Sequence, residues 1–262
     1  MKNRVMWLQG VFLLAIVAVL GAMAFRPVPP AKRKAIVVEL FTSEGCSSCP
    51  PADELLTRLE HKASSNGAEI IPLGFHVDYW DGQGWRDRFS SHAFTDRQEK
   101  YAYKFHIDGP YTPQMVVDGL TQFVGNDSGS AENALTQAAA QHEEADVQLS
   151  WVGPEKLLVA VTAADPAATS EVRLAITEDN LSTQVAGGEN GGHVLHHSGV
   201  VRDFRVLGQL SSGKFQKEVA VKPQKDWKLS DLKAVAFVQV RNYGSISGAA
   251  SIAFPSSLTV GK

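Results

Sequence analysis

Residues Ala35–Leu59 read A-I-V-V-E-L-F-T-S-E-G-C-S-S-C-P-P-A-D-E-L-L-T-R-L, and this stretch decides how the rest of the chain is read. Ile36–Phe41 is an apolar run of strand length, and Thr42–Gly45 is a short polar turn. Cys46 and Cys49, the only two cysteines in 262 residues, follow as C-x-x-C. Pro50 in a first helical turn, with Asp53 and Glu54 just behind, marks a helix start. Strand, C-x-x-C and helix in that order place a dithiol at a helix N-terminus, where free N–H groups and the helix dipole favour a thiolate. One helical turn brings the two sulfurs within bonding range. Cys46, at the exposed end, is the expected nucleophile, and Cys49 the resolving thiol.

Outward from this stretch, the N-terminus sets the compartment. Lys2 and Arg4 precede the apolar run Val11–Leu20, and Ala22-Met23-Ala24 is an A-x-A cleavage pattern. Residues 1–24 therefore read as a secretory signal peptide, the alternative being an uncleaved anchor helix over Val5–Phe25. Either way the remainder is exported: to the bacterial periplasm, or membrane-anchored and facing it. A Pro- and Lys-containing linker fills 25–34. In an oxidising compartment a lone C-x-x-C could be a fixed bridge. So small a loop stabilises little by chain entropy, which favours a redox role for the Cys46–Cys49 disulfide. The net charge of −3 and the absence of a long basic run argue against a nucleic-acid partner.

Glu69–Val77 is a second apolar strand, so strand, helix and strand form a crossover unit with parallel neighbours. Both strands then end on one sheet edge, which brings His76, Asp78, Tyr79 and Trp80 toward Cys46, either as a wall around the thiols or as ordinary loop packing. A helix is expected within Trp85–Phe105, with Thr95-x-x-Gln98 as its capping box. Tyr111–Gly119 opens a strand at Pro113, an X-Pro entry suited to a cis bond, and Leu120–Val124 completes a hairpin across Asp118-Gly119. Ser130–Glu143 is the last helix. Beyond Asp146 the runs 146–152, 156–163, 171–178, 193–207, 213–221 and 234–240 are β-branched and often alternating, as in an antiparallel sandwich.

The order strand, C-S-S-C-P-P-A-D, helix, F-H-V-D-Y-W, helix and Y-T-P-Q-M-V-V-D-G resembles a secreted bacterial thioredoxin-like family catalogued as domain of unknown function 1223. The resemblance spans residues 35 to about 250 and implies a thioredoxin-like fold with a redox-type site. More distantly, the chain is similar to bacterial outer-membrane-associated proteins that carry F-T-x-x-x-C-x-x-C-P ahead of a β domain. The thioredoxin architecture implies that Pro113 packs against the C-x-x-C as a cis-proline. It also implies that Glu39, within the first strand, shuttles the resolving cysteine's proton. Gly45 stands where thioredoxins place a Trp, and Ser47-Ser48 replaces their Gly-Pro.

The expected architecture is an α/β thioredoxin-like domain over 35–145 followed by an all-β sandwich-like domain over 146–255, the latter a docking or homodimer surface. The expected function is thiol–disulfide exchange with protein thiols or disulfides through Cys46 and Cys49, with Pro113 and Glu39 in support and no organic cofactor. Two rival readings use the same cysteines: a Cu(I) carrier with His76 as third ligand, or a scaffold with a fixed disulfide. His193, His196 and His197 read as ordinary strand histidines, since 196 and 197 point to opposite faces. Glu44 reads as a solvated turn residue.

Overall fold

The computed structural model describes residues 33–61, 67–163 and 169–255. The proposed leader over 1–24 and nearly all of the linker lie outside them. No helix among the described residues is long and apolar enough to cross a membrane.

Strand β1 (Ala35–Thr42) is buried along its whole length. It lies between β2 (Glu69–His76), which it pairs with in parallel, and β3 (Gln114–Val117), which runs antiparallel. A strand with neighbours on both edges and cover on both faces needs a continuous apolar run, and that is what its sequence supplies. Helix α1 (Pro50–His61) connects β1 to β2. Helix α2 (His92–Phe105) precedes β3; β4 (Thr121–Val124) closes the hairpin, and α3 (Ser128–Ala140) follows, with Asp127 accepting the Ser130 amide as its cap. Helix α2 lies within the expected span, and Thr95 and Gln98 fall inside it. Their side chains bond Asp78 and Tyr111 respectively and cap nothing.

The second half supplies β5 (Ala145–Gly153), β6 (Lys156–Ala163), β7 (Ser170–Glu178), β8 (Leu181–Gln184), β9 (Val194–His197), β10 (Val200–Gln209), β11 (Lys214–Ala220), β12 (Leu232–Val240) and β13 (Ile246–Ala253). These strands do not form a sandwich of their own. One eight-stranded mixed sheet runs β13-β12-β7-β10-β2-β1-β3-β4, so the boundary expected at 145/146 falls inside a single compact unit of the described residues. Sandwich-like packing does occur. The three-stranded sheet β11-β6-β5 covers one face of β7, β10 and β12 through Val159, Val161, Leu174, Ile176 and Ala236. The expected run 193–207 is broken at Ser198-Gly199 into β9, which pairs with β8, and β10, which joins the large sheet.

The junction between halves is narrow. β10 meets β2 at one rung, Val200 opposite Gly74, with the Gly74 amide donating to the Gly199 carbonyl at 2.7 Å. Even-numbered residues of β2 turn their backbone groups toward β10. Pro72, two residues earlier, has no N–H to offer on that side, and the ladder stops there. Gly199 sits at φ +63, where a Cβ would lie 2.8 Å from the Pro72 carbonyl oxygen, so only glycine fits.

Alternation along β1 sends side chains to two cores. Ile36, Val38 and Leu40 pack under α1 and α3 with Ala52, Leu55, Met115 and Ala134. Val37 and Phe41 face α2 together with Phe75, Phe94, Tyr101, Val235 and Phe237, a core that draws on both halves of the chain.

Asp118 turns the β3–β4 hairpin at φ +46, and its buried carboxylate accepts the Val37 amide at 2.8 Å. Burial is the main cause of a pKa raised from 3.8 to about 7; the Val37 N–H and the Lys34 ammonium only partly offset it. Between those two values the folded protein holds a proton that the unfolded chain releases, so this group's contribution falls as pH rises through 7. Asp118→Asn keeps the acceptor and tolerates the positive φ. Denaturant unfolding at pH 5 and pH 8 should show the wild type losing roughly 2–4 kcal/mol more than the variant over that interval. Equal losses would show that the side chain is ionised throughout.

Candidate functional site

The site grows from the end of β1. Thr42 donates its hydroxyl to Asp53 Oδ2 at 2.9 Å and so ties the strand end to the first turn of α1. The Cys46 amide bonds the Ser43 carbonyl, and the Cys49 amide the Cys46 carbonyl at 3.1 Å. Ala52 and Asp53 then donate to the Cys49 carbonyl, which makes Cys49 the residue that caps α1. Cys46 and Cys49 are joined as a disulfide, with Cα atoms 5.4 Å apart, and both are fully buried.

The donors around the sulfurs differ from those of a bare helix end. Pro50 and Pro51 carry no N–H, and the Ala52 amide is bonded to Cys49. The Ser47 amide donates to Glu189 Oε2 at 3.1 Å, which lowers the Glu189 pKa. Asn190 donates its side-chain amide to the carbonyls of Glu44 at 2.8 Å and Cys46 at 3.0 Å. Glu189 and Asn190 belong to the loop between β8 and β9, so the second half of the chain covers the C-x-x-C. Gly187 and Gly188 let this loop lie directly on the 83–85 loop, since a Cβ at Gly187 would stand 2.6 Å from the Gly84 carbonyl oxygen.

Pro113 enters β3 through a cis bond and is buried. Its ring lies beside Ala52 and Leu40, all three lining the space that a Cβ on Gly125 would occupy. Pro113 thus lies near Ala52, in the first turn of α1. Trp80 packs against Gly45 and donates its indole N–H to Thr112 Oγ1 at 2.8 Å, linking the cysteine turn to the Pro113 loop. Asp78 and Tyr79 instead turn to α2, bonding Thr95 and Gln98.

Glu39 does not join the site. It shares the face of Val37 and Phe41, opposite the one that carries α1. Its carboxylate accepts from Arg97 Nε at 2.5 Å and from the Tyr101 hydroxyl at 2.6 Å, all fully or nearly fully buried. The proton-shuttle role expected for it is replaced by a fixed ion pair, because alternation on β1 points odd-numbered residues away from the cysteines.

A second group of side chains does reach the cysteine turn. Glu44 is buried, not solvated: it takes the Trp85 indole N–H at 2.8 Å on Oε2, and its own amide donates to Asp87. His197 Nε2 stands 3.5 Å from Glu44 Oε1, and its Nδ1 3.4 Å from Asp53 Oδ1. His76 Nδ1 bonds Asp87 Oδ2 at 2.6 Å, and the His76 and His197 rings cross at 4.9 Å. Burial alone would lower the His197 pKa, but Asp53 and Glu44 outweigh it and raise it to about 10. Burial raises Glu44 and Asp87, yet His197 and His76 bring both carboxylates below their usual range. With the disulfide closed, neither cysteine sulfur is available beside His76 as the trio read from sequence required. His197 is the residue that sequence reasoning missed. The alternation that separated it from exposed His196 puts one histidine inward, and the inward face is the site.

A cleft of about 530 Å³ runs along this edge, lined by Ser47, Pro50, Asp53, Glu189, His193 and His197 among others.

The model of the family described as Protein of unknown function (DUF1223) matches residues 37–239, and the chain belongs to that family. The fold is similar to the crystal structure of a protein from Agrobacterium tumefaciens, with TM-score 0.70 and 25% identity over 86% of this chain and 97% of that one. A domain of the outer membrane lipoprotein Omp28 from Porphyromonas gingivalis aligns at 12% identity over 43% of this chain and 88% of that domain, with a TM-score of 0.26 that carries no argument. No curated protein matches the chain.

Two substitutions separate these roles. Glu39→Gln leaves Arg97 buried without its counter-charge and should cost about 3–5 kcal/mol in denaturant unfolding. In the folded fraction the pH profile of Cys46 alkylation after reduction should not move; a shift would restore the proton-shuttle role. Asn190→Ala removes two hydrogen bonds of about 1 kcal/mol each, so the covering loop should open more often and reduction by a soluble phosphine should accelerate about thirtyfold. An unchanged rate would show that the loop does not limit access.

Proposed function

We propose that this member of the family is an exported thiol–disulfide exchange protein that acts through Cys46 and Cys49 on protein thiols or disulfides. The observation that carries the reading is the Cys46–Cys49 disulfide closing the turn that leads into α1, with Pro113 packed beside the start of that helix. The order β1, α1, β2, α2, β3, β4, α3, with the sheet sequence β2-β1-β3-β4, supports a thioredoxin-like reading of the first half.

In the closed state the pair accepts electrons. A partner thiolate attacks Cys46 Sγ, the Cys46–Cys49 bond breaks, and Cys49 leaves as a thiolate that takes a proton. The partner's second thiolate then attacks its own sulfur in the mixed disulfide and releases Cys46. Two electrons pass to the chain, and the partner becomes a disulfide. The reverse sequence reduces a partner. Trp80 and Thr112 form the wall between the cysteine turn and the Pro113 loop, along which a partner segment would lie.

The test is a glutathione redox titration of the full chain, with alkylation and intact-mass readout of both cysteines. A reversible midpoint between about −120 and −270 mV, with Cys46 alkylated first, is expected. A bridge that stays closed below about −300 mV would overturn the exchange reading and leave a fixed structural disulfide.

A further inference from the structure

Behind the cysteine turn, Asp53, Asp87 and Glu44 are buried together with His76 and His197, and the two imidazoles lie against these three carboxyl groups. His76 Nε2 is buried without a hydrogen-bond partner, whereas His197 Nε2 and Glu44 Oε1, the other unbonded atoms of the group, face each other at 3.5 Å. An unmatched imidazole nitrogen at such depth is costly unless something meets it.

We propose that His76, His197 and Asp53 form a binding site for a divalent first-row transition ion of the zinc class. One ligand atom from each of the three residues lies within 4.8 Å of the others. Asp53 Oδ1 and His197 Nδ1 are 3.4 Å apart, long for a hydrogen bond but close to the edge of a tetrahedron whose metal bonds measure about 2.0–2.1 Å. Two imidazoles and a carboxylate are the donor set that such ions prefer.

Each ligand is also held from behind. Asp87 fixes His76 through Nδ1 at 2.6 Å, which turns the unpartnered Nε2 toward the ion. Glu44 Oε1 faces His197 Nε2 at 3.5 Å, ready to hold the ring proton there while Nδ1 coordinates. Thr42 engages the second oxygen of Asp53 at 2.9 Å and leaves Oδ1 for the metal. Carboxylates on the far nitrogens of both histidines are the outer layer that orients metal-bound imidazole. Asp53 and His197 line the 530 Å³ cleft, which gives an ion its way in, and three protein ligands leave a fourth position for water or a ligand. The site needs no cysteine, so it exists with the disulfide closed and stands or falls separately from thiol exchange.

The experiment titrates the full, tag-free, oxidised chain with Co²⁺ and Zn²⁺ under calorimetry and visible absorption. One equivalent of Co²⁺ with tetrahedral d–d bands, displaced by Zn²⁺, is expected. In proton spectra of the Co²⁺ form, ring N–H resonances from two histidines should be hyperfine-shifted, a readout that needs no variant. Asp53→Asn should abolish stoichiometric binding, and Asp87→Asn should weaken it about 10–100-fold. A Cys46→Ser/Cys49→Ser double variant and a His193→Gln/His196→Gln double variant should bind as the wild type does. Absence of a stoichiometric site in the wild type would overturn the proposal. So would binding that survives Asp53→Asn and disappears with the His193 and His196 pair, which would be adventitious surface coordination. Loss in the cysteine variant would move the metal to the sulfurs instead.

Discussion

The ion pair between Arg97 and Glu39 is the interaction on which both halves of the molecule converge. Arg97 comes from α2, Glu39 from β1 and Gln239 from β12. Arg97 Nη2 donates to Gln239 Oε1 and to the Tyr101 hydroxyl, both at 3.2 Å. Gln239 in turn donates to Tyr101 at 2.8 Å. The guanidinium lies 4.9–5.8 Å from the ring centres of Phe75, Tyr101, Phe204, Phe237 and Tyr243. A guanidinium tolerates this because it is weakly hydrated and its planar fork can satisfy a carboxylate and a ring face together. Two of those rings belong to the first half and three to the second, so withdrawing the strands of either half would leave the charge in a partly opened apolar pocket. A buried pair adds little net stability over apolar packing, but it punishes misplacement, and here it fixes how β12 and β10 sit against α2.

That constraint matters because the direct seam in the sheet is thin. One rung at Gly74 and Val200, bounded by Pro72 and Gly199, would not hold two layers in register. The aromatic core around Arg97 on one side of the sheet supplies the missing contact area. Once the halves are locked, the chain leaving β7 returns through β8, the 185–193 loop and β9 over the start of α1. Glu189, Asn190 and His197 reach the cysteine turn by that route. The site is therefore composite, and neither half contains it alone.

This explains which features could be read in the sequence. β1, α1, β2 and the hairpin at Asp118-Gly119 are local patterns: an apolar run, a proline-marked helix start, a turn dipeptide. So is the C-x-x-C itself, and Pro113 follows from the order of elements. Glu39 was legible as a buried acid but not as Arg97's partner, since 58 residues separate them and only strand alternation decides the face. Gly199 gave no hint that β10 would join β2, because a single bridge leaves no hydrophobic signature. β8 is four residues long, and β13, I-S-G-A-A-S-I-A, is too poor in large apolar residues to stand out; its small side chains suit the close packing of β12 and β5 against it. Glu44 looked like a turn residue and Asp53 like a helix-dipole acid because their partner, His197, lies more than 140 residues away.

The same composite build shapes any chemistry at the cysteines. A helix N-terminus stabilises a thiolate through unpaired N–H groups, and here Pro50 and Pro51 remove two of them while Glu189 claims the Ser47 amide. The acids behind the turn oppose a second negative charge, and the cationic His197 between Asp53 and Glu44 offsets part of that. With the loop closed, these contacts withdraw backbone donors from the cysteine turn and set carboxyl groups behind it. Glu189 and Asn190 of the 185–193 loop bond the cysteine turn, so a partner that reaches Cys46 must displace them. A partner segment whose backbone takes over the Ser47 amide from Glu189 would remove that carboxylate from the cysteine turn as it gains access to Cys46.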